Sequence, residues 1–389
     1  MIEENLRLMI CYPMGKRVMI STGEPSGELY GILLIREIRR LWGDVEILGI
    51  GGSRMKAEGI RVIAESSNII GLTEAIRHLR RARIGFKRAT EKLKTERPHI
   101  LILIDYPDFN MALAKRAKAM GIPVLYYVSP QVWAWRRGRI EKIGSVVDRM
   151  ALILPFETDY YKDRGIRYEF VGHPIVETID IKESKEELKE ELRLDPGKPL
   201  ITLLPGSRPV EIERHLPILR RVAGMIHKEM GDFQIVIPLT DDSIIKEGME
   251  DYITVIKGKT LKLVASSEAS AIASGTATLE AALLGIPMVV FYKLSTLSYI
   301  VARLFIRVDY ISLVNLIMKK PVVKELIQMD ATDEKIYREL RRLIYEPLYR
   351  DEMVSNLRVI QRMLMGRKPS ARVAQMIGEL TGWNSTRGC

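Results

Sequence analysis

The sequence predicts an α/β protein of two Rossmann-like, doubly wound domains in series, facing an interdomain cleft. Its 389 residues exceed what one core ordinarily organises. Short continuous apolar runs alternate with helix-patterned segments, the mark of parallel strands covered on both faces. The alternation breaks once, in the charged stretch 177–198 that ends in the turn Asp195-Pro196-Gly197, and then restarts.

In the first half, Val18–Ile20 predicts a buried strand ended by the Gly23–Gly27 turn, and Ile32, Ile35, Ile38 and Leu41 recur at helical spacing. Strands follow at Val45–Ile50, Ile100–Ile104, Val124–Val128, Ala151–Leu154 and Tyr168–Val171, with helices stopped near Pro98 and Gly121. In the second half, Leu200–Leu204, Gln234–Pro238, Lys262–Val264, Ala271–Ala273 and Met288–Tyr292 are the expected strands. From Thr332 the chain is helical to Gly366, and a last amphipathic segment runs to Leu380. The expected domains are 1–178, 179–350 and a C-terminal helical segment, 351–389, that packs back on the first.

Composition narrows the class. Hydrophobic residues at 47% with 28% charged describe a globular chain, not a disordered one. The 60 Lys and Arg against 49 Asp and Glu give +11, which favours an anionic partner: nucleic acid, a phosphorylated substrate or an anionic membrane. Cys11 and Cys389 offer neither a disulfide framework nor metal-ligand spacing, which fits a reducing compartment. Glu3 and Glu4 stand where a signal peptide carries basic residues, and no run of 18 apolar residues exists, so any membrane contact is expected to be peripheral and the location cytoplasmic.

Five segments fall where strands end, and open α/β sheets place ligands there. Gly23-Glu24-Pro25-Ser26-Gly27-Glu28 combines glycines that permit close backbone approach with a helix N-terminus. Its carboxylates would repel a pyrophosphate, so Glu24, Ser26 and Gly27 are candidates for an acceptor sugar, the plain alternative being a capped turn. Asp105 directly follows a buried strand, where partial burial would raise its pKa toward that of a general base. Strand-end position favours it over Asp108, a natural helix cap before Phe109. Ser129, Gln131, Trp133 and Trp135 offer aromatic faces and polar handles for a sugar ring, or ordinary strand–helix packing. Gly206-Ser207-Arg208 combines turn N–H groups with a guanidinium, a diphosphate clamp unless Arg208 is simply solvated. Ser274-Gly275-Thr276 opens another helix as a phosphate site, and Glu280, one turn in, is placed to accept ribose hydroxyls. His173 and His215 compete as bases.

Taken in order, these segments resemble the lipid-A-disaccharide synthases, glycosyltransferases of the two-Rossmann GT-B class. The match runs from Val18 to Glu325 and adds Leu154-Pro155-Phe156-Glu157, Gly172-His173-Pro174 and Asp309–Leu316. The resemblance implies inverting transfer of 2,3-diacylglucosamine from UDP to the 6-hydroxyl of 2,3-diacylglucosamine 1-phosphate, giving the β-1,6 disaccharide of lipid A. It implies Asp105 as the essential carboxylate and Arg208 as the essential cation. Ser274, Gly275, Thr276, Glu280 and Asn315 are implied to lie around UDP. Glu28 stands where the family usually has Asp, Pro25 where it has a small residue, and Val314 where it has proline.

No Asp-x-Asp pair stands at a strand end, so neither a metal nor another cofactor is expected. Acylated substrates must be collected from a bilayer, and Ile69–Phe86 is the candidate contact. Ile69, Leu72, Ile76 and Leu79 share a helical face bordered by Arg77, Arg80, Arg81, Arg83 and Lys87, a pattern suited to the inner-membrane surface. Leu294–Ile306 is a second candidate for the acyl-facing surface. A core-packed helix with a solvated face is the competing account. Other GT-B chemistry of the UDP-N-acetylglucosamine 2-epimerase type is the alternative enzyme. A nucleic-acid binder is the non-enzymatic alternative; its basic residues are scattered and no binding motif appears, so no nucleic-acid partner is expected.

Overall fold

A computed structural model describes residues 15–65, 72–132, 140–239, 248–295, 299 and 308–383; for 72–79 it describes the helical backbone only. Trp133 and Trp135, and most of Leu294–Ile306, lie outside the described residues. The chain divides into two compact units, 1–132 with 136–174 and 368–389, and 133–135 with 175–367.

The first unit holds a seven-stranded sheet of β1 (Arg17–Thr22), β2 (Glu46–Gly51), β3 (Arg61–Glu65), β4 (Ile100–Ile104), β5 (Val124–Tyr127), β6 (Arg149–Leu152) and β7 (Tyr168–Phe170). Their spatial order is β3-β2-β1-β4-β5-β6-β7 and all pairings are parallel. β4 and β5 are buried at every position, which is why they read as unbroken apolar runs. Helices Pro25–Trp42, Leu72–Glu96 and Pro107–Ala119 cover the sheet. One core gathers Leu101, Leu103 and Tyr126 from the strands with Ala89, Leu93, Leu113 and Ala117 from two of those helices.

The second unit repeats the plan with β8 (Leu200–Leu204), β9 (Gln234–Leu239), β10 (Ile253–Lys257), β11 (Ala269–Ala273), β12 (Met288–Tyr292) and β13 (Lys324–Ile327). The order is β10-β9-β8-β11-β12-β13, again parallel throughout. In both sheets the order reverses once, between β1 and β4 and between β8 and β11.

Several elements differ from the sequence expectation. Lys262–Val264 is not a strand but part of the helix Thr260–Ala265. Its short apolar run fits either period, and Leu263 and Val264 are buried from a helical turn. β3, β10 and β13, three strands on or next to sheet edges, were not predicted, because their half-polar faces carry no continuous apolar signal.

The C-terminal segment also divides differently from 351–389. Helix Pro347–Leu364 stays with the second unit, where Gln361 Nε2 donates to the Leu283 carbonyl at 2.9 Å. Only the last helix, Pro369–Thr381, joins the first unit. Trp383 meets Trp42 edge to face at 5.3 Å, and Arg372 grips Glu169 through Nε at 2.5 Å and Nη2 at 2.8 Å. Arg149 and Glu379 extend that ion network.

Candidate active site

The candidate residues gather at the carboxyl ends of the strands that flank each reversal. In the first unit β1 leads into Gly23–Gly27 and β4 into Asp105, while β5, next in order, leads into Ser129. In the second, β8 leads into Gly206–Arg208 and β11 into Ser274–Thr276. These are the topological switch points, where strand-to-helix turns splay apart and leave room for a ligand.

Asp105 is half-buried, and burial, assisted by the charge on Glu24, pushes its carboxyl up to about 6. Asp108 is exposed on the first turn of the Pro107–Ala119 helix. Asp105 and Tyr106 both adopt left-handed backbone conformations, with φ of 50° and 51°. Each such residue costs about 1–2 kcal/mol when it carries a Cβ. The Tyr106 ring stacks on Phe109 at 4.9 Å and passes so close to Gly23 that a Cβ there would lie 2.4 Å from its Cγ. Gly23 is thus required for close approach of the two turns.

Glu24 occupies the N-cap position of the Pro25–Trp42 helix and is exposed, Ser26 is half-buried and Gly27 is buried. Glu28 is a structural bracket: its Oε1 accepts the N–H groups of Gly52 at 2.9 Å and Met55 at 2.8 Å, tying the first helix to the turn after β2. Ser129 is buried and pairs with the Tyr161 hydroxyl at 2.6 Å, whereas Gln131 is exposed.

In the second unit Gly206 has φ 115°, a conformation that favours glycine, and a Cβ there would lie 2.7 Å from Glu211 Oε2. Glu211 sits at the third position of the Pro209–Glu229 helix and its Oε2 accepts the N–H groups of Ser207 and Arg208, each at 3.2 Å. Those N–H groups were expected to meet a diphosphate; the protein's own carboxylate holds them, so the guanidinium is the exposed member of the expected clamp. Glu211 Oε1 also accepts the Tyr292 hydroxyl at 2.8 Å and lies 3.6 Å from Arg208 Nη1.

His215 is one turn further along that helix and fully buried. The Pro205 carbonyl can only accept, so Nδ1–H donates to it at 2.6 Å, while Nε2 accepts the Lys293 N–H at 3.1 Å. Both nitrogens are committed to backbone, and burial lowers the ring's pKa. His173 is buried edge-on against Tyr30 at 5.6 Å, and burial pushes its pKa down to about 3. Neither histidine has the character of a proton acceptor near neutral pH.

The Thr276–Leu284 helix opens from an exposed Gly275, with Thr278 Oγ1 donating to the Gly275 carbonyl at 2.8 Å. Its first N–H groups have no carbonyl one turn back. Glu280 is half-buried on this helix, and burial raises its pKa. Asn315 is buried on the Leu313–Met318 helix: Oδ1 accepts the N–H groups of Val322 and Val323 at 2.8 and 2.9 Å, and Nδ2 donates to the Val323 carbonyl and Glu325 Oε1. Both ends of the side chain brace the turn into β13.

On the helix Leu72–Glu96, Arg80, Arg81, Arg83, Ile84, Lys87 and Arg88 are exposed while Phe86, Ala89 and Leu93 face the core. The side chains of Leu72, Ile76 and Leu79 lie outside the described residues. Among the described residues no helix is long and apolar enough to cross a membrane, and no cluster of three His, Cys, Asp or Glu is arranged to hold a metal ion.

Two doubly wound parallel domains with ligand-type turns at both switch points are the GT-B architecture of glycosyltransferases and related epimerases. The kitacinnamycin glycotransferase superposes with a TM-score of 0.66 at 14% identity, over 95% of this chain and 100% of that one. The UDP-GlcNAc 2-epimerase from Neisseria meningitidis, bound to UDP-GlcNAc, superposes with a TM-score of 0.60 at 14% identity, over 95% and 100%. Fold alone therefore does not separate transfer from epimerisation; sequence does. The family described as lipid-A-disaccharide synthetase matches residues 18–375, and the lipid-A-disaccharide synthase of Geobacter metallireducens is 39% identical over 377 residues, 94% of this chain and 98% of that protein. The chain belongs to the lipid-A-disaccharide synthetase family, a glycosyltransferase of lipid A biosynthesis acting on sugar-nucleotide and lipid substrates.

Proposed function

We propose that the chain transfers 2,3-diacylglucosamine from UDP to the 6-hydroxyl of 2,3-diacylglucosamine 1-phosphate with inversion, and that Asp105 is the general base. The observation that carries the assignment is the half-buried Asp105 carboxyl at the β4 end of the switch point, held near 6. A base of that strength is ionised at neutral pH and still takes up a proton as one is released.

In the displacement the acceptor oxygen forms a bond to the anomeric carbon while the bond from that carbon to the UDP oxygen breaks. Asp105 takes the hydroxyl proton, and the electron pair of the broken bond leaves on UDP. Arg208 and the opening of the Thr276–Leu284 helix meet the diphosphate charge, and Glu280 accepts from the ribose. General-base help contributes roughly 10²–10⁴-fold, and loss of an electrostatic partner costs a comparable factor. Glu24, Ser26, Gly27, Ser129, Gln131, Trp133 and Trp135 serve the acceptor side.

The enzyme works at the cytoplasmic face of the inner membrane through its Leu72–Glu96 helix. Arg80, Arg81 and Arg83 are exposed there, and each cation near an anionic surface contributes about 1 kcal/mol. Leu72, Ile76 and Leu79 supply the apolar contact. Incubation with UDP-2,3-diacylglucosamine and 2,3-diacylglucosamine 1-phosphate tests the function: UDP and a disaccharide 1-phosphate should appear together. UDP release that does not depend on the acceptor would contradict it and point to hydrolysis or epimerase-type chemistry.

A further inference from the structure

Among the described residues, three turns from a strand into an α-helix start that helix with proline, at Pro25, Pro107 and Pro209. The residue before a proline is pushed toward extended backbone by the ring, and two of the three comply: Glu24 has φ −122° and Arg208 has φ −97°. Tyr106 does not. It is left-handed, at φ 51° and ψ 58°, and Asp105 before it is left-handed too. The connection from strand to helix does not need this conformation, since the other two turns are made without it. Of these three turns, the strain falls in the one that carries the residue proposed as the base, and it requires something to hold it.

A buried polar chain does so. Ser21 Oγ–H on β1 donates to Asn110 Oδ1 at 2.6 Å. Asn110 Nδ2 donates to the Asp105 carbonyl at 2.6 Å and to the Ile104 carbonyl at 3.3 Å. From β5, Tyr126 Oη donates to the same Asp105 carbonyl at 2.7 Å. Ser21, Asn110 and Tyr126 are all completely buried. The main-chain oxygen of Asp105 is therefore held directly from β5 by Tyr126 and from the following helix by Asn110, which Ser21 anchors to β1, and its direction fixes how the side chain leaves the end of β4.

We propose that Asn110 is a positioning residue for the transfer reaction, locking the left-handed turn that aims the Asp105 carboxylate, with Tyr126 as its second anchor. The proposal rests on Asp105 being the base. An ångström of misplacement at a reacting group costs on the order of 100-fold in rate, so the lock matters to turnover more than to substrate binding.

The test uses the full chain with both lipid substrates. Folded Asn110→Ala, checked by its unfolding transition, should lose about 10–100-fold in kcat while KM for the UDP-sugar stays within about twofold. The acid limb of its pH profile should move toward the ordinary carboxylate range as Asp105 escapes its half-buried position. Tyr126→Phe removes a single oxygen and carries the test if Asn110→Ala does not fold; it should lose about 5–10-fold in kcat with the same split. The double variant Asp105→Asn/Asn110→Ala should be no slower than Asp105→Asn alone, because Asn110 acts through Asp105. Losses that multiply in the double variant, or full kcat in both single variants while Asp105→Asn is inactive, would overturn the positioning role and leave the base standing. Normal turnover by Asp105→Asn would instead remove the base itself, and the proposal with it.

Discussion

The charge on Glu24 raises the pKa of Asp105, adding to the larger effect of burial, so the exposed residue at the N-terminus of one helix tunes the carboxyl at the start of another. Asp105 at about 6 must be ionised to act as a base. The rate parameter kcat/KM should therefore fall about tenfold per pH unit below that value. Glu24→Gln removes the neighbouring charge and should move the acid limb to lower pH. A pH–rate profile of the two proteins checks both statements; an unmoved limb in the variant would show that Glu24 does not act on the titrating group.

The same shift predicts a stability effect of definite sign. The Asp105 pKa lies above its ordinary 3.8, so the stability contributed by the protonated carboxyl is fully present below 3.8 and is lost as pH rises through about 6. The gap corresponds to about 3 kcal/mol at most. Asp105→Asn should accordingly unfold at a higher temperature than the parent at pH 7.5, by a few degrees, and the difference should shrink toward pH 4. Thermal unfolding at the two pH values measures it, and an equal difference at both would contradict the burial account.

Glu211 holds the Gly206–Arg208 turn from inside. Glu211→Ala leaves two N–H groups without their acceptor and frees the turn, and it should lower turnover about tenfold through misplacement of Arg208. Arg208→Ala should cost more, about 10²–10³-fold, by removing the charge that meets the diphosphate. Steady-state kinetics of the two variants rank them, and Glu211→Ala at the parental rate would show that the turn holds itself.

Changing Leu72, Ile76 and Leu79 together to Ser should release the protein from anionic liposomes, and raising salt should weaken the parent's binding through its arginines. Co-sedimentation measures this. Undiminished binding by the triple variant would place the membrane contact elsewhere.

Much of the fold was legible in the sequence because its central strands are buried on both faces. Ile100–Ile104, Leu200–Leu204 and Met288–Tyr292 are found at their predicted bounds. Edge strands such as Ile253–Lys257 share their faces with solvent and carried no such pattern. The strand-end turns were legible for a related reason: Gly and Pro mark them, and ligand-type side chains follow. What those side chains do was harder to foresee. Asn110 stands one turn into an ordinary-looking helix, and only the fold brings Ser21 beside it. Glu211 resembles a surface residue, and His215 a candidate base, until the ends of β8 and β12 are seen to meet them. Asn315, implied by resemblance to lie at UDP, also braces the turn before β13, a role that no spacing in the sequence signals.

The central claim is that Asp105 is the base of a sugar transfer, and the most direct measurement is disaccharide formation by Asp105→Asn together with its affinity for UDP. The account predicts at least about 100-fold slower turnover with UDP binding unchanged. Near-parental turnover by the folded variant would contradict it.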